Sequence, residues 1–122
     1  MEPVDRYFAS TAVPPYVAVI FTSLRHLEDD AEGYGRMAED MDRLAAEQPG
    51  YLGMESARDR DGFGITVSYW RDELSAKAWK ADARHKVAQK HGQEHWYRAY
   101  YVRIATVTRA YAKDVPHTEH TA

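Results

Sequence analysis

A chain of 122 residues has room for one domain with a real hydrophobic core, and not for two. It is 44% hydrophobic and 29% charged, the balance of an ordinary globular protein rather than a disordered one. Sixteen Lys and Arg against nineteen Asp and Glu leave a net charge of −3, so no basic excess is present to neutralise phosphates and nucleic acid is not an expected partner. The absence of Cys excludes a disulfide framework, a thiolate metal site and a Cys nucleophile. The first residues include Glu2 and Asp5 and no apolar stretch of signal-sequence length, and the longest apolar run, Tyr16 to Phe21, is far too short to span a membrane. A cytoplasmic protein without a membrane partner is expected.

Residues 1–15 read as an N-terminal arm whose Pro14-Pro15 pair bars helix ahead of the first strand. That strand is YVAVIFTSL, Tyr16 to Leu24, where β-branched and aromatic residues run without polar alternation, as in a strand buried on both faces near the middle of a sheet. From Glu32 to Gln48 the period becomes helical: Tyr34, Met37, Ala38, Met41, Leu44 and Ala45 share one face. Asp29-Asp30 offers the cap and Pro49-Gly50 the stop. Tyr51 to Arg58 and Phe63 to Trp70 then flank Asp59-Arg60-Asp61-Gly62, a hairpin whose glycine supplies the positive φ of the turn. Asp72 caps a second helix from Glu73 to about His91, ended by Gly92, on which Leu74, Ala78, Ala81, His85 and Ala88 share a face. The last strand lies within Trp96 to Ala112, and residues 113–122 form a polar tail.

The predicted order is βαββαβ. Right-handed crossovers put both helices on one face of a four-stranded antiparallel sheet, a ferredoxin-like α+β domain over residues 16–112. Its other face then has no cover within the monomer, and the Tyr, Val and Ile on both faces of the strands predict a homodimer through that open sheet face.

The stretch PGYLGMESARDRDGFGITVSYWRDELSAKAWKADARHKVAQKHG, followed by WYRAYYVRIATVTRAY, resembles the antibiotic biosynthesis monooxygenase (ABM) family of the dimeric α+β barrel superfamily. The likeness runs from about Tyr16 to Tyr111, and its most specific parts are the ESARD–DGFGITVSYW hairpin and the series Trp70, Trp79, His85. It implies a pocket in each subunit between sheet and helices, with dimerisation through the open sheet faces. Its enzymatic members include cofactor-free oxygenases of polycyclic phenols and haem-degrading oxygenases. The resemblance therefore implies a monooxygenase of a flat aromatic molecule working without a cofactor, with haem binding and a non-catalytic binding domain as alternatives.

His85 is the sharpest candidate for chemistry, placed by helical spacing among small residues. It would serve as a general base on a phenol or as an axial haem ligand, against the plainer role of a structural histidine. Trp70, at the end of its strand, would stack on a planar ligand, and Trp79 would border the same space, although large aromatics more often simply pack. Phe21, Tyr34, Met37, Met41 and Tyr69 would form an apolar wall. In both understood branches of the family an asparagine helps to hold oxygen or substrate. This chain has no Asn, so that role would need Thr66, Thr22, Ser68 or Gln89, or the mechanism differs; Thr66 is favoured because it alternates onto the strand face of Ser68 and Trp70. No metal site is expected: His117 and His120 lack a third ligand, and His91 and His95 read as solvated surface. Glu55, Arg103 and Arg109 are charges within strands, expected in ion pairs at the sheet edge or dimer interface.

Overall fold

The β-branched run at the start of the domain forms β1, Tyr16–Arg25, and the remaining elements follow as α1, Ala31–Ala46; β2, Tyr51–Arg58; β3, Phe63–Trp70; α2, Glu73–Lys90; and β4, Tyr97–Val107. This computed structural model describes residues 7–26, 31–90 and 97–115, and over 31–37 and 83–90 it describes the helix backbone alone. The strands form one antiparallel sheet in the order β2-β3-β1-β4. With both helices on one face this is the ferredoxin-like arrangement, and β1 is central as its unbroken apolar run requires.

Local chemistry explains the element ends. At the β2–β3 hairpin, Asp59 Oδ1 accepts the backbone N–H of Asp61 and of Phe63, and Gly62 takes φ 90°, a conformation open to glycine without a Cβ penalty. Asp72 caps α2 by accepting the Ser75 N–H at 2.8 Å, and that bond holds its carboxyl below the usual range. Several boundaries differ from expectation: α1 ends at Ala46 rather than Gln48, and the outer ends of two strands move. A register shift at Leu24/Arg25 lets β1 run on to pair Arg25 with Tyr97, and β4 ends at Val107, so Arg109 lies beyond the strand. Asp29-Asp30, His91, His95, His117 and His120 lie outside the described residues.

Strand register sorts the side chains by face. On the helix side they form four rows across the sheet, β2 to β4: Tyr51–Trp70–Val17–Thr106, Met54–Ser68–Val19–Ile104, Ser56–Thr66–Phe21–Val102 and Arg58–Gly64–Ser23–Tyr100. The core is centred on the first two rows, where Val17, Val19 and Trp70 meet Ala45 of α1 and Ala76 and Trp79 of α2, with Met41, Leu44, Tyr51, Met54 and, from the third row, Val102 around them.

The helix-free face is covered in part by the arm. Ala9 N–H donates to Glu55 Oε2 at 2.9 Å, Thr11 Oγ1 donates to the Tyr16 hydroxyl, and Tyr16 meets Tyr69 edge to face. Farther along that face Phe63, Ile65 and Tyr101 are exposed. Among the described residues no helix is long and apolar enough to cross a membrane.

Candidate functional site

On β1 and β3 the first two rows of the helix side are filled, whereas their β4 members Thr106 and Ile104 are exposed. Trp70 is 0% exposed; its ring stacks on Trp79 at 5.9 Å between centroids, meets Tyr51 edge to face, and its Nε1–H donates to Ser68 Oγ at 2.8 Å. This corrects the expectation of a ligand-stacking ring at the strand end: both indoles are core, and the Nε1–H of Trp70 is satisfied inside the protein. Met41 packs against the same cluster.

The last two rows are different in kind. Phe21, Thr66, Tyr97 and Arg58 are half-buried and Tyr100 is 46% exposed. Phe21, Tyr97 and Tyr100 make an aromatic trio, with Phe21 at 5.4 Å from Tyr97 and 5.6 Å from Tyr100. Beside them Arg58 leaves the edge strand, crosses over Gly64 and donates from Nη2 to Ser23 Oγ at 2.8 Å and from Nη1 to the Gly62 carbonyl. Ser23 is 2% exposed beneath it. This end therefore offers planar apolar surface, the Thr66 hydroxyl and the Arg58 guanidinium, the mixture that orients a flat ligand carrying a polar group.

The structure brings Phe21 and Thr66 together and leaves several other candidates apart. Tyr69 projects from the opposite face of the sheet. There its hydroxyl donates to Glu55 Oε1 at 2.7 Å, and burial followed by that bond pushes its pKa up. Glu55 is thus a hydrogen-bond acceptor for the arm and Tyr69 rather than a member of an ion-pair ladder, and Arg103 lies over the Tyr101 ring at 3.8 Å. The side chains of Tyr34, Met37 and His85 lie outside the described residues. Over its described turns α2 is rotated from the expected orientation: Leu74 is 78% exposed and Ala78 and Ala81 also face solvent, while Ser75, Ala76, Trp79 and Asp82 turn inward. The stripe to which spacing assigned His85 is in that stretch a solvent stripe. Among the described residues no three His, Asp or Glu side chains are grouped to hold a metal ion.

Sequence reasoning missed Arg58, Ser23, Tyr97 and Tyr100. The signal for Arg58 was the glycine at 64, in mid-pattern of an otherwise β-branched and aromatic strand, which marks a close approach by another group.

Comparison with known proteins agrees with this architecture. The family described as antibiotic biosynthesis monooxygenase matches residues 17–91. The protein YqjZ of Bacillus subtilis, itself uncharacterised, is 47% identical over 103 residues, covering 84% of this chain and 89% of that one. A shorter match, 37% over 49 residues, covers 40% of this chain and 23% of the jasmonate monooxygenase ABM of Pyricularia oryzae. Among solved structures, SnoaB, a cofactor-independent oxygenase from Streptomyces nogalater, superposes with TM-score 0.61 at 13% identity over 83% of this chain and 99% of its own. Protein SO0527 of Shewanella oneidensis does so with TM-score 0.65 at 13% identity, over 81% and 98%. These structural likenesses concern the fold; the sequence matches decide the lineage, and the chain belongs to the antibiotic biosynthesis monooxygenase family.

Proposed function

We propose that the protein is a cofactor-independent monooxygenase of a flat aromatic molecule, bound at the Phe21–Thr66 end of the sheet. The observation that carries the reading is the contrast along β1 and β3: Val17, Val19 and Trp70 are buried in the core, whereas half-buried Phe21 and Tyr97 and exposed Tyr100 present ring surface beside the hydroxyl of Thr66. Family membership adds the reaction class. In this reading a phenol of the substrate loses its proton to a base. The resulting anion passes electrons to O₂, one oxygen atom becomes a ring carbonyl and the other leaves as water. All four electrons come from the substrate, as in phenol plus O₂ giving quinone plus water, so the balance calls for no external reductant.

The base in this reading is His85. Its support is the family resemblance and its level along the sheet: at about 1.5 Å per residue the backbone at 85 is about 18 Å from Glu73, which at about 3.3 Å per residue along β3 reaches Gly64 and Ile65. The described turns of its stripe, at 74, 78 and 81, face solvent, so the His85→Ala variant decides the role. Thr66 takes the place of the family's asparagine and holds oxygen or the substrate's oxygen atom. The second copy expected of this chain packs on the helix-free face, where Tyr101 is 60% exposed and Phe63 and Ile65 are also uncovered.

The test is oxygen uptake with anthrone and hydroxylated naphthalenes, alongside sedimentation to read the oligomeric state. Consumption of O₂ with quinone formation is expected. His85→Ala should lower kcat by about 10²-fold or more while leaving the circular dichroism spectrum unchanged. No uptake with any phenol sinks the oxygenase reading; full activity in His85→Ala removes His85 from it.

A further inference from the structure

Arg58 and Gly64 occupy neighbouring positions in the last row of the helix side, and their arrangement is specific. A Cβ placed on Gly64 would lie 2.6 Å from Arg58 Cζ and 2.8 Å from Nη2, well inside van der Waals contact. Gly64 is not in the left-handed region, so backbone conformation does not demand glycine there. The missing side chain is what lets the guanidinium lie flat on the sheet. Arg58 thereby reaches from edge strand β2 across β3 to Ser23 on β1, where Nη2 donates to Ser23 Oγ at 2.8 Å. The Gly62 carbonyl accepts from Nη1 and fixes the other side of the fork. The charge is held in place at both ends.

Its neighbourhood gives that placement a use. The same row continues to Tyr100, and the adjoining row supplies Phe21, so the cation stands at the margin of the aromatic trio. An arginine placed only to close the hairpin would need the Gly62 carbonyl; crossing to β1 brings it on to the interior face instead. A guanidinium in a half-buried setting stabilises an oxyanion more than it would in open water, because the surroundings screen less.

We propose that Arg58 is a specificity-determining residue, the counter-charge for a substrate that is a planar aromatic oxyanion, with Gly64 as the residue that positions it. This rests on the aromatic site proposed above and adds the substrate's charge to it. The ligand's rings lie against Phe21, Tyr97 and Tyr100, and its anionic oxygen, whether a carboxylate or an ionised phenol or enol, faces the guanidinium.

The test compares two probes of nearly equal shape, 2-naphthoate and 2-naphthamide, by isothermal titration calorimetry on the full chain at neutral pH. Wild type is expected to bind the naphthoate at least about ten-fold tighter than the amide. Arg58→Gln should abolish that preference while keeping amide binding, and Arg58→Lys should restore part of it. Gly64→Ala, whose methyl displaces the guanidinium without touching its charge, should also lose the preference, and it remains informative if Arg58→Gln fails to fold. Equal binding of the two probes by wild type, or an unchanged preference in either Arg58→Gln or Gly64→Ala, overturns the role of Arg58 and leaves the aromatic site standing. Binding of neither probe overturns the site and this assignment together.

Discussion

The two ends of the helix side are built on the same four strands yet do different work. At the Trp70 end the row positions on β2, β3 and β1 are apolar or, at Ser68, hydrogen-bonded within the protein, and alanines at 45 and 76 let the helices press close to the indoles. At the Phe21–Ser23 end the rows carry hydroxyls, a glycine and a cation, and β4 remains open at Tyr100. The helices pack on β2, β3 and β1, which leaves the β4 side of the sheet least covered. The first two rows carry most of the core, while in the last two Val102 still packs against it and the half-buried Phe21 and Thr66 border the proposed site. Polar groups accumulate where packing no longer forbids them.

The sharpest way to break this comparison is to truncate one ring at each end. Trp70→Ala empties a fully buried site and removes a stack and an edge contact, and should cost about 3–5 kcal/mol in urea unfolding. Phe21→Ala removes a half-buried ring and should cost less than about half of that, while abolishing 2-naphthamide binding. Equal losses of stability would mean that both ends are core and that the division is wrong. A smaller effect sharpens the same point within the filled end. Ser68→Ala leaves the Trp70 Nε1–H buried without its acceptor, which should cost about 1–3 kcal/mol, and Ser68→Thr should recover most of it if the hydroxyl is what matters. In contrast Thr66→Val, on the open rows, should change stability by no more than about 1 kcal/mol and instead lower kcat in oxygen uptake.

How legible these regions were in the sequence follows the same division. The ferredoxin-like order, the hairpin and the limits of β2 and β3 were readable because alternation, Asp-Gly turn chemistry and the Asp72 cap all acted locally and agreed. The face of α1 was readable too: Met41, Leu44 and Ala45 turn inward while Asp42 and Arg43 face solvent. The face of α2 was not. Its alanines at 76, 78, 81, 83 and 88 are spread around the helix, so periodicity has no single apolar arc to find, and the choice of Ala76 and Trp79 was made by the indole of Trp70 opposite them. Trp70 was misread for a related reason. Its position at a strand end is visible in sequence, but the ring that closes over it comes from nine residues later on another element. The cross-strand path of Arg58 over Gly64 to Ser23 joins three strands and needs their register, which no local pattern contains.

The smallest predicted effect concerns the opposite face, where the arm is held. Tyr69 donates to Glu55, which also accepts the Ala9 N–H, so the phenol and the arm share one carboxylate. Burial first, and the bond to Glu55 second, hold Tyr69 in its neutral form above the ordinary tyrosine range. A group whose folded pKa is raised contributes stability in full below its unfolded value and loses it as pH rises beyond that value. Stability should therefore fall from about pH 10 upward as the unfolded chain gains by ionising Tyr69 while the folded chain does not. Tyr69→Phe should cost about 1 kcal/mol at neutral pH through the lost hydrogen bond. Tyr51 is also raised, by burial and then by Asp42, so the alkaline decline does not vanish in the variant; it should become shallower than in wild type. Urea unfolding of both proteins at pH 7 and across the alkaline range checks the sign. Parallel declines would mean that Tyr69 ionises as readily in the folded chain as outside it, and that the Glu55 bond holds the arm without coupling it to pH.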